Sequence, residues 1–273
     1  MEIFNILEEK WDVAILLDAC RYDSFASIYQ EYLPKGKLEK KIGASCTTRW
    51  LNSIFQDTYP EIVYVSGNPW INSVTSEGRF DARGKFGAIF DVWEWGWDED
   101  YETVPPREVT KAAMMANEEH PEKKVIVHYL QPHYPYLTDK IPREVKMHFE
   151  GVDGRDGRAQ NLVSDLSIFI NEGLEQMLGR SRFWKIREFL ELETDYIEEY
   201  LWRTYTPDQL QEFYEDNLRL VLSEVEELLD CLDGRVVVTS DHGEAFGENG
   251  DFFHPLGTKN PAVREIPYCK FEF

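Results

Sequence analysis

The sequence predicts an α/β fold, a doubly wound and mostly parallel sheet with helices on both faces. Four apolar runs of strand length are spread over the 273 residues, and segments with helical spacing of apolar residues lie between them. Strands that alternate with helices in this way are typical of parallel sheets. A hydrophobic content of 42% and an aromatic content of 14% suffice for the large core of such a fold. We therefore predict one domain over residues 1–273.

Each predicted strand is a continuous apolar run, as expected for strands buried on both faces of a sheet. The four runs are 12–18, 62–66, 125–130 and 235–241. Polar or glycine-bearing sequence follows each of them, and ligands of such sheets bind at the carboxyl ends of the strands. Candidate functional residues are therefore expected directly after the strands.

The predicted helices occupy the segments 24–32, 48–55, 107–119 and 207–232. The last of these has an apolar residue at every third or fourth position, which makes a stripe that faces the core. Thr206-Pro207-Asp208-Gln209 supplies its N-cap, a proline in the first turn and a capping-box glutamine. Two stretches, at about 68–101 and 141–205, interrupt the alternation, and we interpret them as insertions that cap the sheet.

The formal net charge of −22 at pH 7 repels nucleic acids and anionic membrane surfaces, so no nucleic-acid polymer is expected as a partner. An anionic substrate would need concentrated positive charge at the site, most simply a bound metal ion. The amino-terminal apolar stretch, 13–17, is too short for a membrane span or a signal sequence, so we expect no span and a cytoplasmic location. The four cysteines are far apart and are interpreted as reduced thiols: Cys20, Cys46, Cys231 and Cys269.

Two strand ends carry candidate metal ligands. Asp18 ends the first apolar run, and Asp241-His242 follows the last one. Carboxylate and imidazole groups together are good ligands for zinc, manganese and similar divalent ions. Both positions have a structural alternative. Asp18 could cap the following helix, and Asp241 could cap a turn in which His242 is an ordinary hydrogen-bonded residue.

A cluster of small nucleophilic side chains precedes the helix predicted at 48–55. The cluster is Ser45, Cys46, Thr47 and Thr48, and Arg49 follows in the first turn. A hydroxyl or thiol at a helix start lies at the positive end of the helix dipole, which favours its ionised form and an incoming oxyanion. The alternative is an ordinary Ser/Thr N-cap.

The stretch 128–137 leaves a strand through two X-Pro steps and presents His128 and His133. Prolines at these positions make the loop rigid and end the strand. His133 lies between two prolines in what we expect to be an exposed turn, which makes it a candidate substrate contact. A structural role is the alternative for either histidine.

In their order along the chain, these segments resemble the alkaline phosphatase superfamily, and within it the sulfatase-like branch. The resemblance covers most of the chain. The matching positions are Asp18, the cluster 45–48, the Pro-His-x-Pro turn at 132–135, Tyr214 and Asn217 of a Tyr-x-x-Asn helix, the Thr-Ser-Asp-His-Gly-Glu signature at 239–244 and the tail at 263–268. The resemblance implies a metal-dependent hydrolase or transferase that acts on phosphate or sulfate esters of small molecules or glycans.

The resemblance also implies roles for individual residues. Asp18, Asp241 and His242, together with Thr47, would hold a divalent ion, which could be zinc, manganese or calcium. Thr47 is the predicted nucleophile, and Cys46 is the second candidate. The groups that would bind the non-bridging oxygens of the substrate or protonate the leaving group are His133, Arg49, His254 and Lys259. A second metal ion would need further ligands, for which only His254 has an evident counterpart.

The sequence departs from true sulfatases in two places. Sulfatases carry C-x-P-S-R, whose cysteine becomes formylglycine, but this chain reads Cys-Thr-Thr-Arg-Trp from Cys46. It also has Asp18-Ala19 and Asp241-His242 where sulfatases have a doubled Asp and usually Asp-Asn, which resembles the phosphate-transferring relatives that use manganese or zinc. A different class stays open, a catalytically degenerate member that serves as a binding or assembly module. Its interface would be the acidic surface with Trp70, Trp93, Trp95 and Trp97.

Overall fold

The structure, a computed structural model, describes residues 2–75, 80–138, 140–141, 180–190, 192 and 197–273. The strands in this part of the chain are β1 Val13–Leu17, β2 Lys37–Ile42, β3 Tyr59–Ser66, β4 Phe86–Asp91, β5 Lys124–Tyr129, β6 Arg235–Thr239, β7 Ala245–Phe246, β8 Phe252–Phe253 and β9 Glu265–Glu272. The helices are α1 Tyr22–Ile28, α2 Thr47–Ile54, α3 Val92–Trp95, α4 Pro106–Glu119, α5 Arg180–Phe189, α6 Ile197–Thr204, α7 Pro207–Leu229 and α8 Pro261–Arg264. Short 3-10 turns occupy Ile6–Glu8, Tyr29–Glu31 and Glu248–Gly250.

A seven-stranded sheet forms the centre of the molecule, in the order β2-β9-β6-β1-β5-β3-β4. The strands from β6 to β4 are parallel, whereas β9 pairs antiparallel with both β6 and β2. The first strand, β1, lies between β5 and β6. Because β1, β5 and β6 are parallel neighbours, their carboxyl ends meet at one edge of the sheet. The predicted mostly parallel α/β fold is confirmed.

Helices cover both faces of the sheet, as predicted. On one face, Val13, Ile15 and Leu17 of β1 belong to a buried cluster that includes apolar residues of α1, α4 and α7. On the other face, Ala14 and Leu16 pack in a second cluster with Trp50 and other residues of α2. This alternation follows from the period of two along a strand, and it makes β1 buried on both sides.

The predicted strands and helices are all present with small shifts of their ends. The capping box of α7 is confirmed, since the Thr206 hydroxyl accepts the backbone N–H of Gln209, whose side chain accepts the N–H of Thr206. Three strands of the large sheet were not predicted, β2, β4 and β9. The edge strand β2 is rich in lysine and half exposed, so it lacks the apolar run that marks a buried strand.

The stretches interpreted as insertions contain part of this structure. Residues 68–101 include β4 and α3, and residues 141–205 include α5 and α6. Much of 141–205 lies outside the described residues. A third buried cluster joins Phe183 and Trp184 of α5 to Leu201 of α6, to the start of α7 and to Phe253. These helices therefore lie beside the β7–β8 hairpin, at the same edge of the sheet as the strand-end residues.

Candidate active site

Asp18 lies directly after β1 and is 2% exposed. Its Oδ2 accepts a hydrogen bond of 2.6 Å from Asn68, whereas its Oδ1 is buried without a hydrogen-bond partner among the described residues. Helix α1 is preceded by Arg21 and has no side-chain cap, so Asp18 does not have the helix-capping role that was the alternative. Buried carboxylate oxygens normally have a partner, so the unpartnered Oδ1 of Asp18 indicates that this oxygen binds a ligand.

Asp241 and His242 follow β6, the strand next to β1, and both are fully buried. Asp241 Oδ1 accepts the backbone N–H groups of His242, at 2.9 Å, and of Ala19, at 3.3 Å. Its Oδ2 has no hydrogen-bond partner within the part of the chain that the structure describes. His242 Nδ1 lies 2.8 Å from the carbonyl oxygen of Gly243, so a neutral ring carries its proton on Nδ1 and presents a lone pair on Nε2. Asp18 Oδ1, Asp241 Oδ2 and His242 Nε2 are therefore candidate metal ligands.

The backbone at this strand end is held in an uncommon conformation. Ala19 has φ of +59°, in the left-handed region that residues with a side chain rarely adopt. The Tyr214 hydroxyl of α7 donates to the Ala19 carbonyl and accepts the N–H of Arg21, both at 2.8 Å. Backbone strain of this kind occurs where the surrounding structure fixes it. The tyrosine of the Tyr-x-x-Asn motif therefore positions the chain next to Asp18.

Thr47, the first residue of α2, brings a hydroxyl to the same point. Its Oγ1 lies 3.2 Å from His242 Nε2, and Asp18 Oδ1 and Asp241 Oδ2 lie 3.4 Å and 3.5 Å from that nitrogen. Ligands at about 2.0–2.1 Å from a tetrahedral zinc ion are about 3.3–3.4 Å apart. The three distances from His242 Nε2, together with the unpartnered state of the two carboxylate oxygens, fit a small divalent ion.

The charges of this group are strongly coupled. Burial opposes ionisation of His242, but the carboxylates of Asp241 and Asp18 outweigh it and raise the pKa of the ring to about 10. Burial would raise the pKa of Asp18, and the neighbouring His133 and His242 lower it instead. The two carboxylates thus hold a positive charge at the position of the ring. A divalent cation would satisfy the same carboxylates.

A second group of candidate ligands lies beside the first: His133, Glu244 and His254 each offer an atom within 4.8 Å of the others. His254 Nδ1 is 3.3 Å from Glu244 Oε2, and the His254 and His242 ring centres are 4.7 Å apart. Burial raises the pKa of Glu244 to about 7. Burial and the neighbouring His242 and His133 keep the pKa of His254 low. We did not assign Glu244 from the sequence, although it is the last residue of the 239–244 signature.

His133 is buried, with 8% of its surface exposed, so the expected exposed turn is wrong. The loop folds back onto the strand ends, where the His133 N–H donates to the Asp18 carbonyl at 3.2 Å. Asn217 of α7 donates to the carbonyls of His133 and Pro135, at 3.1 Å and 3.0 Å, and accepts the N–H of Leu137 at 2.7 Å. The asparagine of the Tyr-x-x-Asn motif therefore holds the loop that carries His133.

The remaining predicted site residues lie further out. The side chains of Arg49 and Lys259 are exposed, and Arg49 lies beside Gly257. Cys46 is half-buried, and its Sγ contacts Thr48 Oγ1 at 3.6 Å. The N-cap alternative is not observed, because the residue before α2 makes no side-chain capping bond.

The tryptophans form no continuous exposed patch among the described residues. Trp93 and Trp97 pack against the core, Trp70 is half-buried, and Trp95 is 55% exposed. The four cysteines are free, as predicted.

The chain has an α/β fold of the alkaline phosphatase/sulfatase-like type, and acidic and imidazole groups are gathered at the carboxyl ends of its central strands. No protein-family model and no curated protein sequence matches the chain. Solved structures do match its fold over nearly the whole chain, among them two of a transferase and one of a sulfatase.

The integral membrane protein lipooligosaccharide phosphoethanolamine transferase A from Neisseria meningitidis superposes with a TM-score of 0.54 and 13% identity over 95% of this chain. Only 47% of that protein is covered, so the chain spans about half its length. The soluble domain of the same transferase gives a TM-score of 0.52 and 12% identity, with 95% of this chain and 75% of that domain covered. A 2-O GAG sulfatase gives a TM-score of 0.52 and 10% identity, with 97% of this chain and 65% of the sulfatase covered. At these identities the likeness shows the fold.

The predicted cytoplasmic location is contradicted by this comparison, because the matching fold belongs to an integral membrane protein. That prediction was based on the shortness of the apolar stretch at 13–17. The length of one apolar stretch does not determine where a protein is located. In the part of the chain that the structure describes, no helix combines the length and the apolar character that crossing a membrane requires.

Proposed function

We propose that this protein is a metal-dependent enzyme that transfers or hydrolyses phosphate or sulfate esters, with Thr47 as the nucleophile. One observation carries the proposal: Thr47 Oγ1, Asp18 Oδ1 and Asp241 Oδ2 all lie within 3.5 Å of His242 Nε2. Among the residues that the structure describes, the two carboxylate oxygens have no hydrogen-bond partner, and all four side chains are buried. A structural turn has no need for two unpartnered carboxylate oxygens around a hydroxyl.

A divalent ion held by these four residues would lower the pKa of a coordinated hydroxyl and neutralise charge on the transferring oxygens. Thr47 Oγ would attack the phosphorus or sulfur, form a covalent ester and displace the leaving group. Water or a second acceptor would then take the group from Thr47. Cys46 is placed less well, since its thiol faces Thr48 and not His242.

The donor set supports zinc or manganese over calcium. Calcium takes six to eight oxygen ligands. The group identified among the described residues offers one nitrogen, from His242, and three oxygens, from Thr47, Asp18 and Asp241. We further propose that His133, Glu244 and His254 bind a second ion of the same kind or, without it, the non-bridging oxygens of the substrate. The closeness of the His254 and His242 rings, 4.7 Å between centres, supports a role in one reaction.

Phosphate is the ester that we favour. The formylglycine sequence of true sulfatases is absent at Cys46, and the structural neighbours include a phosphoethanolamine transferase as well as a sulfatase. We propose a single catalytic domain over residues 1–273 whose stretches at about 68–101 and 141–205 shape the substrate pocket. Arg49 and Lys259, both exposed, would meet the outer part of the substrate and not its reacting group.

The test is an assay with zinc or manganese on p-nitrophenyl phosphate, bis-p-nitrophenyl phosphate and p-nitrophenyl sulfate, together with intact-mass detection of the covalent intermediate. Thr47→Ala is expected to abolish turnover and the intermediate. Thr48→Ala is the matched control, since Thr48 lies one residue further along α2 with its hydroxyl on Cys46, and it should keep both. If Cys46→Ala, and not Thr47→Ala, removes the intermediate, the nucleophile assignment is wrong. A wild-type protein that binds no metal and is inert to all three substrates in its presence would favour the binding module.

A further inference from the structure

A buried asparagine after β3 contacts the candidate metal ligand Asp18 directly. Asn68 is fully buried, and its Nδ2 donates to Asp18 Oδ2 at 2.6 Å. The proposed mechanism uses Asp18 but gives Asn68 no task. A donor on a ligand carboxylate orients it, so Asn68 controls which Asp18 oxygen can meet an ion.

The chain reaches Asp18 from a strand that is not the neighbour of β1, since β5 lies between β3 and β1. The Gly67 N–H donates to the His128 carbonyl at 2.9 Å, so the chain follows β5 to its carboxyl end before Asn68. A Cβ at Gly67 would lie 2.8 Å from Val109 Cγ2 and 3.0 Å from the His128 carbonyl oxygen. Glycine therefore permits the close approach that brings Asn68 to the end of β1.

The Asn68 amide is fixed in one orientation by its own loop. Its Oδ1 accepts the Trp70 N–H at 2.9 Å, an Asx turn. Its backbone carbonyl accepts the Ser66 hydroxyl at 2.7 Å and the Ile71 N–H at 3.1 Å. Because a donor already occupies Oδ1, the nitrogen of the amide is the atom that faces Asp18.

The consequence is that Asp18 offers a single oxygen. Its Oδ2 is held by Asn68, and its Oδ1, which has no hydrogen-bond partner among the described residues, lies 3.4 Å from His242 Nε2. Asp241 is restricted in the same way, since its Oδ1 accepts two backbone N–H groups and its Oδ2 lies 3.5 Å from that nitrogen. One oxygen from each carboxylate suits the few ligands of zinc, whereas calcium takes six to eight oxygens and often both from one carboxylate.

We propose that Asn68 is a positioning residue that sets the metal preference of the proposed centre: by holding Oδ2 it limits Asp18 to one ligand oxygen and favours zinc over calcium. The proposal rests on the proposed function, because it acts through the ligand Asp18. Without the Asn68 donor, the Asp18 carboxylate is free to turn and offer both oxygens, an arrangement that calcium accepts. Partners of metal-binding carboxylates are typically worth about 10–100-fold in metal affinity.

The experiment measures zinc binding by isothermal titration calorimetry, and calcium binding by its competition with zinc, with no substrate present. Asn68→Ser is the test variant, because a serine hydroxyl can still accept the Trp70 N–H but is one bond shorter than the amide that reaches Asp18. Zinc binding should weaken about 10–100-fold. Calcium should displace zinc from the variant at a lower calcium-to-zinc ratio than from the wild type.

Asn72→Ser is the matched control, the same substitution four residues further along the chain. Asn72 is also buried, and its Oδ1 accepts backbone N–H groups, but its Nδ2 donates to a backbone carbonyl and not to a carboxylate. This variant should keep both the zinc affinity and the calcium-to-zinc ratio of the wild type. A change in either one as large as that in Asn68→Ser would overturn the proposal, since the effect would then come from the fold of the segment.

The outcomes separate this proposal from the proposed function. A wild-type protein that binds no ion ends both. If the wild type binds zinc and Asn68→Ser binds it equally well, or loses zinc affinity at an unchanged calcium-to-zinc ratio, the role of Asn68 is wrong while the metal centre stands. Should Asn68→Ser fail to fold, Asn68→Ala, which leaves room for a water molecule beside Asp18, takes its place and is judged by the same two results.

Discussion

Replacing Asp241 by asparagine tests the candidate active site most directly, because the change removes one charge and almost no contacts. The Asp241 carboxylate is fully buried, and its Oδ1 accepts the N–H groups of His242 and Ala19. An asparagine carbonyl oxygen can accept both. The amide nitrogen then lies where the unpartnered Oδ2 stands, 3.5 Å from His242 Nε2, and presents a hydrogen in place of a lone pair. The variant should fold and lose its metal affinity.

The size of the metal-induced rise in melting temperature follows from the linkage between metal binding and folding. An ion at a hundred times its dissociation constant stabilises the folded wild type by about 2.7 kcal/mol, which raises the melting temperature of a domain of this size by about 5–10 °C. Asp241→Asn should show no such rise with zinc or manganese. Its metal-free form should still melt in one cooperative transition, because the hydrogen bonds to Oδ1 are kept and the His242 ring, whose pKa Asp241 raises, becomes neutral when that charge is removed.

Differential scanning fluorimetry, with and without metal and with a chelator, measures both quantities. Asp57→Asn is the matched control, since it makes the same change of charge at an exposed position and should keep the full rise. A metal-induced rise of wild-type size in Asp241→Asn would refute the ligand assignment. A variant that is unfolded without metal would refute the argument that asparagine preserves the contacts of Oδ1.

Two further predictions concern the His133–Glu244–His254 group and helix α7, which holds the backbone at Ala19 and the loop that carries His133. Glu244→Gln should lower the zinc stoichiometry found by calorimetry from two ions to one, because it removes the carboxylate of the His133–Glu244–His254 group. An unchanged stoichiometry of two, or a wild type that binds a single ion, would contradict the second site. Thr206→Ala should lower the free energy of unfolding in urea by about 1 kcal/mol through loss of the α7 capping box, with metal affinity unchanged. An equal loss of metal affinity there would show that the start of α7 is coupled to the site.

The sequence was informative about the central strands and the first ligand group. Buried parallel strands need continuous apolar runs, and the residue after such a run lies at the sheet edge where ligands bind, so local pattern could place Asp18 and Asp241-His242 at that edge. The motif resemblance also implied the mostly parallel α/β fold, which the structure confirms. The same local reasoning was wrong about the exposure of His133 and about location, because neither the burial of a loop nor the location of a protein is encoded in a short window of sequence.

Tertiary structure decided which groups face one another. Cys46 and Thr47 differ by one position at a helix start, and only the placement of α2 against β6 turns the Thr47 hydroxyl, and not the thiol, toward His242. Glu244 belongs to the 239–244 signature, but no local pattern shows that it lies beside His133 and His254. Burial raises its pKa, and such burial exists only after the sheet has assembled.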